Sequence, residues 1–197
     1  MNICFSRKQT FEAITVDDVP IEEVQSAKLV GVHIQSDLKW NTHIDSIVKK
    51  SHPRIHFLNQ LRKARAPEKD MLKFYLSIVR PVLEYACPAW STSLPKFLSD
   101  RIESVQKRSM NIIYPGLRYT EALDKAKLTT LHARRNMLCK QFFKRIENPK
   151  DRLHTIQPPL RSSNKYNLRT ISKYERGKIR TERYKNSFIP YCVRNFT

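Results

Sequence analysis

The chain has 197 residues, 40% of them hydrophobic, and carries 37 Lys and Arg against 18 Asp and Glu, a net charge of +19. That length and apolar content suffice for one folded domain, or one domain and a tail, while the charge excess predicts a polyanionic partner, nucleic acid ahead of an acidic membrane surface. No window approaches the roughly 18 apolar residues of a membrane-spanning helix, and Cys4, Cys87, Cys139 and Cys192 form no Cys-x-x-Cys pair, so the composition predicts reduced thiols in an intracellular protein, cytoplasmic or nuclear.

Charge is distributed unevenly. Residues 1–48 carry −3, residues 49–150 carry +14 and residues 151–197 carry +8. The part that would face a polyanion therefore begins at Lys49.

Taken in order, "NICFSR", "EAITV", "PIEEV" and "KLVGVHI" are short, rich in Val, Ile and Phe, and separated by turn formers such as Asp17-Asp18. They predict a small antiparallel sheet over residues 1–39 that needs helices packed on it. Gly31 inside the last of these runs predicts a bulge or a close backbone approach. From Trp40 the apolar period becomes helical, through Ile44, Ile47, Val48, Ile55, Leu58 and Leu61. Pro53 interrupts it and should kink or split that helix, because proline lacks an N–H and clashes with the preceding turn. A second helix begins at Pro67, is apolar nearly all round, and should bend at Pro81. A third covers "KFLSDRIESVQKRSMNII" and stops at Tyr114-Pro115-Gly116. Thr120 is placed to cap a short fourth, and Thr130 a fifth over "LHARRNMLCKQFFKRIE". Beyond Pro149 aliphatic residues thin out, and tyrosines alternate with Arg and Lys. This composition predicts a mobile basic tail.

His43-Ile44-Asp45 has the spacing of two ligands of a non-haem iron site. The same letters, with Thr42, fit the Thr-x-x-Asp capping pattern at a helix start. The following sequence is helical and offers no barrel to supply a third ligand, so the cap is preferred. His52 and His56 share a helical spacing suited to zinc, but Pro53 disturbs the turn between them. Asp17-Asp18 could hold a magnesium ion, yet reads more simply as a hairpin turn. Only three glycines occur, which excludes a glycine-rich phosphate loop, and no Gly-x-Ser-x-Gly elbow is present. No catalytic residue, metal site or cofactor is predicted.

The basic side chains remain. Lys49, Lys50, Arg54, Arg62, Lys63 and Arg65 follow the first helix, Lys107 and Arg108 lie on the third, and Arg134, Arg135, Lys140, Lys144 and Arg145 on the fifth. Together they form the candidate set for phosphate contacts, whose signature is steep salt dependence. Tyr166, Tyr174 and Tyr184, set among basic residues, are candidates for stacking on unpaired bases.

Three ordered stretches, "KLVGVHIQSDLKWNTHIDSIVKK", "LSIVRPVLEYACPAW" and "LDKAKLTTLHARR", resemble the region after the polymerase core of reverse transcriptases from non-LTR, LINE-type retrotransposons. The matching positions are Leu29, Gly31, Leu38, Trp40, His43 and Ile44; then Arg80, Pro81, Leu83, Glu84, Tyr85 and Trp90; then Leu128, Leu131, Arg134 and Arg135. "SFIPYCVRN" is similar to the Ser-Phe-x-Pro stretch near the end of such elements. The resemblance implies the last strand of a palm, a helical thumb that holds primer–template duplex, and an extension. It also implies that the family's aromatic-Ala-Asp-Asp motif would lie upstream of Met1, as in a truncated open reading frame, so polymerase activity does not transfer. Residues 5–85 also resemble the N-terminal domain of AlkB-type tRNA-modifying proteins, associated with dioxygenase and methyltransferase activities whose ligand and glycine motifs this sequence lacks.

The expectation is thus an α+β chain: a small β segment over 1–39, a basic helical bundle over 40–148 and a basic tail over 149–197. Its predicted role is non-catalytic, sequence-independent contact with the backbone of RNA or an RNA–DNA duplex. The alternatives are the AlkB-type domain without its catalytic residues and an interaction module for an acidic protein.

Overall fold

Two tight turns organise the first described residues. Strand β1 (Thr15–Val16) pairs antiparallel with β2 (Val19–Pro20), Val16 opposite Val19. Asp17 and Asp18 link them at φ 51° and 62°, a two-residue hairpin turn that requires left-handed backbone at both positions. Asp residues reach that region more readily than most, which makes the aspartate pair a turn. Strand β3 (Ser26–Leu29) pairs with β4 (Val32–Gln35), Leu29 opposite Val32. Val30 and Gly31 form the turn at φ 44° and 83°. Gly31 therefore closes a hairpin rather than bulging a continuous strand, and the single sheet expected resolves into two separate two-stranded ones.

The computed structural model describes residues 14–161, 173–175 and 177–197, and the chain divides into two units, Met1–Leu83 and Glu84–Thr197. The "NICFSR" run with Cys4, and Tyr166, lie outside the described residues.

In the first unit, α1 (Asn41–Lys63) runs unbroken through Pro53, which sits on its exposed side. There the carbonyl that would have met the proline N–H can turn to water. Ile44, Ile47, Ile55 and Leu58 form its buried stripe. The next helical run starts with α2 (Glu68–Phe74), preceded by Pro67. It then widens into a π-helical turn at Tyr75–Val79, where the Arg80 N–H donates to the Tyr75 carbonyl five residues back. This wider turn accommodates Pro81, which has no N–H to offer the preceding turn. Met71, Tyr75, Val79 and Leu83 are buried along this run.

The run ends in α3 (Arg80–Glu84), at whose last residue the second unit begins, and there α4 (Cys87–Trp90) follows a left-handed Ala86. Then come α5 (Lys96–Ile113), α6 (Tyr119–Ala126) and α7 (Leu131–Ile146). The third and fifth helices fall where the sequence pattern puts them. Thr130 caps α7, its Oγ1 accepting from the Ala133 amide at 3.2 Å. Thr120 does not cap α6: the helix starts one residue earlier, and Glu121 instead accepts from the Arg118 amide at 3.0 Å. Glu103 of α5 supplies a second device, accepting from the amides of Leu131 and His132 at 3.2 Å each. A carboxylate at that end of α7 suits the helix dipole.

After Pro149 the chain adds α8 (Glu182–Asn186) and α9 (Phe188–Phe196). Cys192 and Val193 of α9 are buried with Phe143, Ile146 and Tyr174, and Phe188 packs edge-on to Phe142 at 5.4 Å. Defined structure thus reaches into the segment read from composition as a tail. The local reason is the run Phe188-Ile189-Pro190-Tyr191-Cys192-Val193, which gives nine helical residues one strongly apolar face.

Candidate nucleic-acid interface

The start of α1 is built from β4. The Thr42 hydroxyl makes no cap; its amide donates to the Gln35 side-chain oxygen at 3.2 Å, and no side chain caps the helix from within. His43 is 2% exposed, and its Nδ1 accepts from the His33 amide at 3.3 Å. Burial, with His33 and Lys50 nearby, pushes its pKa down to about 4. Asp45, two residues on, is exposed. The two side chains face different environments, as positions about 200° apart on a helix must. Among the described residues no group of three His, Cys, Asp or Glu side chains could hold a metal ion.

Along the outer face of α1, Lys49, His52, His56, Gln60 and Lys63 are exposed at helical spacing. The Gln60 amide nitrogen lies 3.2 Å from His56 Nε2. Lys50 is exposed on the flank, and Arg54, half-buried, bonds back to the Lys50 carbonyl. Arg62 and Arg65 are exposed at the C-terminal end, Arg65 in left-handed backbone. Lys49, Lys50 and Lys63 form no ion pair among the described residues.

On the second unit, α5 exposes Arg101, Ser104, Lys107, Arg108 and Asn111. Ser104, Lys107, Arg108 and Asn111 line a cleft of about 320 Å³ against Leu117 and Tyr119, with no carboxylate in its wall. Tyr119 donates to Glu103 and accepts from Gln106 at 2.8 Å. Burial and that carboxylate raise its pKa, so it stays a neutral aromatic wall. Lys107 and Arg108 were legible in the sequence. Arg101, Ser104 and Asn111 were passed over, although their spacing with Arg108 repeats every three or four residues.

The cations of α7 divide. Lys140 and Lys144 are exposed, and Arg145 is 63% exposed with Asp151 at 3.3 Å. Arg134 reaches Glu84 at 3.5 Å, the two side chains 29% and 12% exposed. Arg135 is 1% exposed. Its Nε and Nη2 donate to the hydroxyls of Ser91 at 3.2 Å and Ser99 at 2.8 Å, and its guanidinium lies 5.9 Å from the Trp90 ring. Burial lowers its pKa, but guanidinium remains charged at any ordinary pH. Arg135 is therefore a core cation and is removed from the phosphate-contact set. Tyr174, 3% exposed and donating to Glu147 at 2.8 Å, is likewise removed from the stacking candidates.

These contacts also explain two of the sequence motifs. Glu84 and Trp90 of the Arg-Pro-x-Leu-Glu-Tyr-x-x-x-x-Trp stretch meet Arg134 and Arg135 of the Leu-x-x-Leu-x-x-Arg-Arg stretch. Trp90 Nε1 also donates to the Tyr85 carbonyl at 3.0 Å. Within the second unit these contacts fasten Glu84 and α4 to α7; they are scaffold, and the exposed cations stand elsewhere.

Fold and surface define a mainly helical, strongly basic α+β protein with a small antiparallel β portion. The chain is 22% identical, over 170 residues, to the probable RNA-directed DNA polymerase from transposon X-element of Drosophila melanogaster, an alignment covering 81% of this chain and 19% of that relative. The chain thus spans about a fifth of the relative's length. Residues 40–80, spanning α1 to the π-helical turn, match the family model described as alkylated DNA repair protein alkB homolog 8, N-terminal. No solved structure matches the chain. Both resemblances stated from the sequence motifs are therefore found independently, the second over a shorter stretch.

Proposed function

We propose that this protein is a non-catalytic, reverse-transcriptase-related nucleic-acid-binding module that contacts the phosphate backbone of RNA or an RNA–DNA duplex without reading sequence. The observation that carries this reading is the cleft lined by Ser104, Lys107, Arg108 and Asn111, where two exposed cations stand without a facing carboxylate. Lys49, Lys50 and Lys63 on the face of α1 add the same kind of uncompensated charge. Such charges bind a polyanion by releasing its counterions, with no need for base contacts. The name of the X-element relative, an RNA-directed DNA polymerase, fits this partner class.

Binding of a random RNA–DNA duplex by the full chain between 50 and 200 mM salt tests it. For duplex contacts, each phosphate neutralised contributes roughly 0.9 to the slope of log affinity against log salt. The double variant Lys107→Gln/Arg108→Gln should lower that slope by about 1.8. A slope near zero, or no binding at low salt, would instead favour an acidic protein as partner.

The match over residues 40–80 brings no chemistry with it in this reading, because His43 is enclosed in the fold while Asp45 is exposed.

A further inference from the structure

A second cleft, in the unit that begins at Glu84, is absorbed by none of the above. It encloses about 640 Å³, well within the size range of small-ligand pockets. Its walls include Ile179, Phe188, Ile189 and Val193, and its polar lining is Gln157, Glu175, Tyr184, Ser187 and Arg194. Phe188, Ile189 and Val193 come from α9, Tyr184 from α8, and Ile179 from the residues just before α8. Tyr184 is 50% exposed, so its ring is available to a ligand.

Two observations point to what would occupy it. Arg194 Nη2 reaches Asn186 Oδ1 at a long 3.4 Å, while Nη1 is buried and has no hydrogen-bond partner among the described residues. A guanidinium with an unmet donor in an apolar wall favours a ligand that carries acceptors. Within the segment that supplies Gly177, Ile179 and Tyr184 to the wall, Lys178, Arg180 and Arg183 are all exposed, form no ion pair among the described residues, and outnumber Glu175, the carboxylate of the wall. Glu182 is held by Lys185 at 2.8 Å. The occupant should therefore combine a flat apolar body, an acceptor edge and an attached anion.

We propose that this cleft takes a single unpaired nucleotide of a nucleic-acid strand. The base stacks on Tyr184, its acceptor edge meets Arg194, and its phosphate lies toward Lys178, Arg180 and Arg183. Stacking of this kind tolerates any base, since each presents a π face. A base paired within a duplex is not available to enter. The inference rests on the nucleic-acid-binding reading and adds to it a site selective for unpaired strands, remote in sequence from Lys107 and Arg108.

The test uses the full chain with a 12-nucleotide RNA carrying one 2-aminopurine, free and annealed to its complement. Binding of the single strand should quench the 2-aminopurine fluorescence. Tyr184→Ala should abolish the quench and weaken single-strand affinity about tenfold, while leaving duplex affinity and its salt slope unchanged. Because Tyr184 is half-exposed, the variant should keep its fold, checked by circular dichroism. Quenching that survives in Tyr184→Ala would place the base elsewhere and overturn the assignment. So would a single strand that cannot displace anilinonaphthalene sulfonate from the cleft, which would indicate another amphipathic anion. If duplex binding keeps its salt slope but the fluorescence never responds, this inference fails alone; if neither nucleic acid binds, the functional proposal fails with it.

Discussion

His43 offers a direct test of how the first unit is held together. Its ring is enclosed between β4 and α1, and Nδ1 must be unprotonated to accept from the His33 amide. In the folded chain it stays neutral down to about pH 4, against an ordinary value of 6.5. The unfolded chain takes up the proton first as pH falls, so stability present above pH 6.5 is lost progressively between about 6.5 and 4, and is flat below. A shift of that size corresponds to about 3 kcal/mol over the whole window, and about 2 kcal/mol between pH 7 and pH 5. Urea denaturation of the wild type and His43→Leu, at half-unit steps from pH 7 to pH 5, isolates the effect. Leu cannot accept from His33, so the variant should be less stable at pH 7, by about 1 kcal/mol. The gap should close, and reverse, by pH 5. Two curves that stay parallel across that range would refute the argument, since every other titrating group is common to both chains.

Arg135 and its two hydroxyl partners should behave asymmetrically. Arg135→Met removes a buried charge together with its desolvation cost and should leave stability within about 1 kcal/mol and duplex affinity unchanged. Ser99→Ala, which strands the guanidinium, should cost about 1–3 kcal/mol by denaturant titration. Val30 holds a β-branched side chain at φ 44° in the β3–β4 turn. Val30→Asn, giving the Asn-Gly pair favoured in such turns, should raise the denaturation midpoint, by about 1 kcal/mol in stability.

Local signals in the sequence were enough wherever a single element decides the outcome. The apolar periods of residues 96–113 and 131–146 mark α5 and α7, and Thr130 marks the start of α7, because spacing and capping act within a few residues. The α+β class and the basic helical character were likewise legible. So were the similarities to the retrotransposon polymerase and the alkB-homologue segment, which rest on the order of motifs. The errors share a cause. Thr42 was read as a cap because the pattern is local, but Gln35, seven residues away on β4, already meets that amide. Gly31 was read as a bulge or a close backbone approach because a turn and a bulge both ask for positive φ, and only the pairing of Leu29 with Val32 separates them.

Charge shows the division most clearly. Composition alone fixed that the chain is a strong polycation, since every Lys and Arg counts toward the field wherever it lies. Whether a given cation can touch a phosphate depends on which way its helix is turned and what packs on it. Arg134 and Arg135 are neighbours in sequence, yet one is half-buried against a carboxylate and the other is sealed under Trp90 between two serines. Lys107 and Arg108, equally ordinary as letters, open onto a cleft because Leu117 and Tyr119, brought in at the start of α6, form its opposite wall. Amino-acid identity set the number of charges; the packing of α5, α6 and α7 selected which of them remain at the surface.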